Sequence, residues 1–143
     1  MARTLALDLG KARIGVAIDD ELGSMAHGRG VLDARDSAAL VERLRELVSD
    51  EGVERIVVGL PVDMRGHEGD AARQARALAQ VIADGTGVTV ELWDERMTTM
   101  VAARALSASG VRGRKAKARV DEVAAVAILE SWLEARRARP RRG

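Results

Sequence analysis

Residues 4–19, TLALDLGKARIGVAID, read as two apolar strands joined by a short turn, with one aspartate, Asp8, set among leucines. An isolated ionised carboxylate in such surroundings costs several kcal/mol, so it neutralises or finds a positive partner. Two more acidic positions have unusual neighbours: WDER ends a strand pattern with Asp94 and Glu95, and Asp121 opens the apolar stretch VDEVAAVAIL. Each has an ordinary explanation alone. Asp121 suits a helix N-terminus, Asp94 and Glu95 suit a solvated strand end, and Asp8 can bond turn N–H groups. Gathered in one pocket, carboxylates about 4 Å apart repel by about 4 kcal/mol per pair at an effective dielectric near 20. A hard divalent cation removes that repulsion, and all-oxygen ligation suits Mg²⁺ or Mn²⁺. One or two such ions can activate water to hydrolyse a phosphodiester. Strand alternation puts Asp94 and Glu95 on opposite faces, and the sequence leaves open which of them meets Asp8.

These acids need a scaffold. The first two strands are too close together to be anything but antiparallel. Gly15, inside the second, marks a bulge or a close backbone approach. Residues 26–32 form a third strand. DSAALVERLRELVSD is an amphipathic helix capped by Asp36 or Ser37, with Leu40, Leu44, Leu47 and Val48 as its apolar stripe. A buried strand at 55–61, a helix at 71–84, a strand at 88–95 and a helix TTMVAARALSA follow. Residues 109–119 lack an apolar period and read as a mobile loop. The last helix covers 120–138 and is apolar around much of its girth. The order βββαβαβαα implies a mixed sheet, three antiparallel strands and then alternating helices and strands, with helices on its faces. That is the layout of the ribonuclease H-like fold.

At 143 residues the chain makes one domain, placed at 1–135, with 136–143 as a basic, disordered tail. Phe, Tyr and Cys are absent and Trp occurs only at 93 and 132, so the core is aliphatic and disulfides and thiolate metal sites are excluded. No apolar run reaches the ~20 residues of a membrane span, and no signal-peptide pattern is present. A soluble, cytoplasmic protein with no membrane partner is expected. The net charge of +1 is unevenly spread. Residues 1–111 hold 13 Lys and Arg against 18 Asp and Glu, and residues 112–143 hold 10 against 4. A basic C-terminal quarter on an acidic body fits a polyanion partner.

Four blocks, ALDLGKARIGVAIDD, IVVGLPVDMRGHEGDAARQAR, VELWDERMTT and RKAKARVDEVAAVAILESWLE, stand in an order that resembles the YqgF/RuvX family. Its members are Holliday-junction-resolvase-like proteins proposed to be nucleases for the precursor of small-subunit (16S) ribosomal RNA. The resemblance covers residues 4–134. It implies a ribonuclease H-like fold, divalent-metal nuclease chemistry, and Asp8, Glu95 and Asp121 as catalytic and metal-binding residues, with Asp94 as an alternative ligand. Arg13 and Arg96 fall within the family blocks and can bind phosphate or form salt bridges. The turn GKAR and the lack of an aromatic in the second-block helix depart from the usual family pattern; neither touches the acids.

The loop GLPVDMRGHEG places Arg65 and His67 where they could meet phosphate, His67 as a water-positioning or proton-donating group. His27 reads as structural or surface. RGRKAKAR puts five basic residues in eight, among them Arg114, Lys115, Lys117 and Arg119, just before Asp121. Such cations give affinity with little sequence choice. With so few aromatics a stacking platform is not expected, and recognition rests on shape and phosphate. The leading reading is a metal-dependent endonuclease acting on structured ribosomal RNA precursor. A DNA-junction resolvase and a non-catalytic RNA-binding assembly factor are the alternatives. An actin-like ATPase would need a second phosphate-binding domain that this chain is too short to hold.

Overall fold

A computed structural model describes residues 3–10, 12–20, 22–97 and 114–138, with side chains in 3–10, 12–20, 22–96 and 121–137. Five strands form one sheet: β1 (Arg3–Leu9), β2 (Arg13–Asp19), β3 (Ala26–Asp33), β4 (Val53–Leu60) and β5 (Thr89–Asp94), in the order β3-β2-β1-β4-β5. β1, β2 and β3 are an antiparallel meander, and β4 and β5 add in parallel on the other side of β1. Each parallel step is bridged by a helix, as the distance between parallel strand ends demands. These helices are α1 (Ser37–Glu51) and α2 (Asp70–Thr86), and the last helix, α3, spans Arg114–Ala138. Asp36 caps α1 by accepting from the N–H groups of Ala38 and Ala39, and Gly52 ends it in the left-handed conformation.

The two faces of the sheet are built differently. On one, Leu5, Leu7, Ile14, Val16, Ile18, Ile56 and Val58 pack with Leu40 and Leu44 of α1 and Ile82 of α2. On the other, Ala6, Ala17 and Val57 receive α3 through Ala125, Ile128, Leu129, Trp132 and Leu133. Period-two alternation assigns these sets. It also fixes Asp8, two residues on from Ala6, on the α3 face. Small side chains there let the helix come close. At Gly15, opposite Asp8 in the β1–β2 pairing, an added Cβ would lie 1.8 Å from the carbonyl oxygen of Asp121. At Gly28 it would lie 2.4 Å from Glu122 Oε1. The close approach read from Gly15 is therefore one of helix to strand, and the register shift beside it falls between Gly15 and Ala17 in the β2–β3 pairing. Glu122 completes the contact, its Oε2 accepting from Gly30 N–H at 2.7 Å.

Three sequence expectations change. Residues 114–119 are the first turns of α3 and not a loop; Lys, Ala and Arg are strong helix formers even where no apolar period shows. Asp121 consequently lies in the second turn of the helix, away from the terminus its ordinary explanation required. α3 also runs through Ala138, so the boundary expected after residue 135 falls inside its last turn. The expected helix at 98–108, residues 109–113 and residues 139–143 of the tail lie outside the described residues.

Gly15→Ala tests the helix–strand contact. The clash is with backbone, which no rotamer relieves. The variant is expected to lose at least about 3 kcal/mol, or roughly 10 °C in Tm, in a thermal melt.

Candidate active site

Asp8 and Glu95 meet at the carboxyl ends of the parallel strands, where α/β sheets commonly bind ligands, with Asp121 close enough for its charge to reach Asp8. Asp8 comes from β1, Glu95 from the 3-10 turn Glu95–Met97 that follows β5, and Asp121 from α3. All three are half-buried. Asp8 and Glu95 are joined by a side-chain hydrogen bond, and Asp8 also feels the charge of Asp121. Gly59 of β4 makes room: a Cβ there would lie 2.7 Å from Glu95 Oε1 and 2.6 Å from Ile128 Cδ1. Of Asp94 and Glu95, it is Glu95 that is bonded to Asp8. Asp94 turns outward and holds Arg96 in a forked ion pair, with Nε and Nη2 at 2.9 and 2.5 Å from Oδ2.

The electrostatics follow from this crowding. The Asp8 carboxyl is pushed up to about 7, first by burial, then by the charge of Glu95 and the hydrogen bond to it, then by Asp121. Burial also raises Glu95, opposed by its bond to Asp8. Asp121 is raised by burial and pulled back by Arg13, whose Nε lies 3.5 Å from Asp121 Oδ2. Asp94 moves the other way because Arg96 binds it. Among the described residues the hydrogen-bond partner of Asp8 is therefore another acid, Glu95.

Among the described residues no three acidic or imidazole side chains already form a metal cage. The donor chemistry nonetheless fits a hard divalent cation. Among the described side chains Asp8, Glu95 and Asp121 offer carboxylate oxygens, with Asp8 and Glu95 joined by a hydrogen bond. Asp121, the remaining acid, is engaged by Arg13.

The other expected residues lie around this centre. Arg65 and His67 belong to an exposed turn, with His67 Nδ1 3.5 Å from Asp63 Oδ2. His27 is exposed on the edge strand β3. Arg114, Lys115, Lys117 and Arg119 are on the first turns of α3, and their side chains lie outside the described residues. Sequence reasoning missed Glu122, which secures α3 to β3. Its only signal was its place beside Asp121, since its partner Gly30 is 92 residues away.

A mixed sheet in this strand order, with helices on both faces, is the ribonuclease H-like fold. A RuvC from T. thermophilus, solved in complex with a Holliday junction substrate, superposes with TM-score 0.61 at 16% identity, covering 96% of this chain and 97% of that one. Fowlpox virus resolvase superposes with TM-score 0.56 at 7% identity, covering 93% of this chain and 97% of that one. At these identities the likeness is one of fold. The RuvX family model, described as Holliday junction resolvase, matches residues 2–135, and the chain belongs to this family. A relative from Pelotomaculum thermopropionicum, named "Putative pre-16S rRNA nuclease", is 44% identical over 98% of this chain and 91% of its own length. One of the same name from Streptomyces coelicolor is 45% identical over 94% of this chain and 81% of its own.

The raised Asp8 sets a pH dependence. The folded state holds a proton there that the unfolded chain releases near 3.8, so metal-free stability falls as pH rises from about 4 through about 7. Asp8→Asn is expected to remove this loss. Its Tm should exceed that of the wild type at pH 8 and converge with it toward pH 4.5, as read by melts in a chelator.

Proposed function

We propose that the chain is an endonuclease that hydrolyses phosphodiester bonds in structured RNA, with Asp8, Glu95 and Asp121 as its catalytic acids and the precursor of 16S ribosomal RNA as its substrate. The observation that carries this reading is the hydrogen-bonded meeting of Asp8 and Glu95, within the field of Asp121, in a chain of the RuvX family. The choice of RNA over DNA is supported by the pre-16S rRNA nuclease names of relatives 39–45% identical to this chain. That role belongs to the cytoplasm, and no described helix is long and apolar enough to cross a membrane.

Asp8, Glu95 and Asp121 would hold Mg²⁺ or Mn²⁺, one ion or two, which when bound supplies charge neutralisation and an activated water. The rest is the work of the chain's own residues. Asp8 keeps a proton near neutral pH and gives it up when positive charge enters the site. Arg13, bound to Asp121 at 3.5 Å, is placed to exchange that carboxylate for a substrate phosphate, which leaves Asp121 available to the centre. Arg65 and Arg96 lie on the loops beside β4 and β5, where the backbone of a bound strand passes. Arg114, Lys115, Lys117 and Arg119 add positive charge at the start of α3. Contacts of this kind position a nucleic acid without reading its sequence.

The test is cleavage of a base-paired RNA and of a DNA junction with Mg²⁺ or Mn²⁺. RNA cleavage is expected, and Asp8→Asn and Glu95→Gln should each lower it by about 100-fold or more while RNA binding persists. Undiminished cleavage by both variants would remove the acids from the chemistry. Separately, changing Lys115 and Lys117 together to Ala should reduce the slope of log Kd against log salt by about 1.4 to 1.8. An unchanged slope would assign these lysines to solvation alone.

A further inference from the structure

One local motif follows three of the strands. Asp33, Ala34 and Arg35 close β3, Asp63, Met64 and Arg65 come after β4, and Asp94, Glu95 and Arg96 close β5. In each the arginine N–H donates to Oδ1 of the aspartate two residues before it, at 2.9, 2.8 and 2.9 Å. Aspartate makes such turns because its short side chain reaches its own backbone two residues on. β3, β1, β4 and β5 run in the same direction. All three turns therefore stand at the end of the sheet that carries Asp8 and Glu95.

On the two edge strands the arginine also grips its aspartate. Arg35 does so with Nε at 3.1 Å from Asp33 Oδ1 and Nη2 at 2.7 Å from Oδ2, as Arg96 does with Asp94. Adjacent strands are about 4.8 Å apart, so four spacings separate the two forks by roughly 19 Å. Asp8 lies on the central strand between them. Arg96 already has a part in the nuclease reading, and Arg35 has none.

Beside Arg35 lies a hollow of 460 Å³, lined by Ala12, Arg13, Val31, Leu32, Asp33 and Arg35. Ligand pockets commonly span roughly 300–1,000 Å³. Ala12, Val31 and Leu32 give this one an apolar floor, and two arginines against one aspartate leave its rim positive. Hydrogen bonds from Arg35 hold the Asp33 carboxyl down at about 2, so the fork itself is a neutral pair. A guanidinium has five N–H groups, and the fork occupies two of them. Three remain for a ligand on a side chain that is 77% exposed. The frame is fixed by Ala34 N–H donating to Ala12 O at 2.9 Å, which ties the β1–β2 turn to the start of α1. Arg13, the second cation of the lining, is the residue that reaches Asp121. The hollow thus adjoins the acid site through Arg13.

We propose that this hollow is a nucleotide subsite. It takes the unit next to the cut phosphodiester, with the phosphate held by Arg35 and Arg13 and the ribose and base laid on Ala12, Val31 and Leu32. A cationic rim over an apolar floor suits a phosphate ester that carries a ring better than it suits a bare anion. The RNA strand then crosses the end of the sheet from the Arg96 fork, past the acids, to the Arg35 fork. The proposal rests on the nuclease reading above.

Two measurements test it. The first titrates isotope-labelled protein with adenosine monophosphate in a chelator, with inorganic phosphate for comparison, and reads amide chemical shifts. Saturable shifts are expected at Ala12, Val31 and Arg35, at lower concentration of the nucleotide than of phosphate. The second is steady-state cleavage of RNA. Arg35→Ala should raise KM by about tenfold, as loss of a hydrogen bond to a charged group does, with kcat kept. Ala12→Leu, which fills the hollow and alters no charge, should weaken the nucleotide shifts and raise KM as well. Both positions are exposed, so both variants should melt as the wild type does. If RNA is cleaved but both variants keep the wild-type shifts and KM, the subsite is overturned and the nuclease stands. Phosphate binding as tightly as the nucleotide, or shifts that avoid the hollow, would overturn it too. If the shifts fall at the hollow and depend on Arg35 while no metal ion supports cleavage, the subsite stands and the nuclease reading falls.

Discussion

The site depends on one steric fact: the last helix lies so close to β2 that the carbonyl oxygen of Asp121 occupies the space a side chain at position 15 would need. Only glycine permits that contact. It places Asp121 within the field of Asp8 and within reach of Arg13, and brings Glu122 onto the β3 backbone. Gly59 plays the corresponding part on β4, where it admits Glu95 and Ile128. Packing contacts of this kind are stiff, since protein interiors are dense and relax poorly. The acids are therefore held together by the scaffold against their own repulsion.

That repulsion explains why the two sides of the sheet differ. Large aliphatic side chains fill the face covered by α1 and α2 and supply the bulk of the buried apolar surface. The α3 face, lined by alanine and glycine on β1 and β2, gives up part of that packing in return for proximity. Its cost appears at Asp8, whose carboxyl is raised by burial and by the nearby charges of Glu95 and Asp121. The divalent cation of the proposed function is a species that such a set of oxygens would suit.

Much of the architecture was legible in the sequence. Strand and helix periods gave the order of elements, Asp36 announced the start of α1, and four blocks in register gave the family. Gly15 was visible as a close approach, though not what approached it. The acids were harder. Alternation could not choose between Asp94 and Glu95 because the strand stops at Asp94 and Glu95 belongs to the following 3-10 turn, so the rule of opposite faces does not extend across them. Arg13 was open between phosphate and salt bridge, and the structure pairs it with Asp121. The start of α3 was misread because helix propensity, with no apolar stripe, leaves no periodic mark. Contacts such as Glu122 with Gly30 join residues far apart in sequence, and no local pattern encodes them.

The most direct test of the central claim is Mn²⁺ binding followed by electron paramagnetic resonance of the free ion, at pH 8 and without nucleic acid. Convergence of the three acids on one cation predicts saturable binding by the native protein that weakens sharply in Asp8→Asn, in Glu95→Gln and in Asp121→Asn alike. Binding that is the same in all three variants as in the native protein, or absent from the native protein, would contradict it.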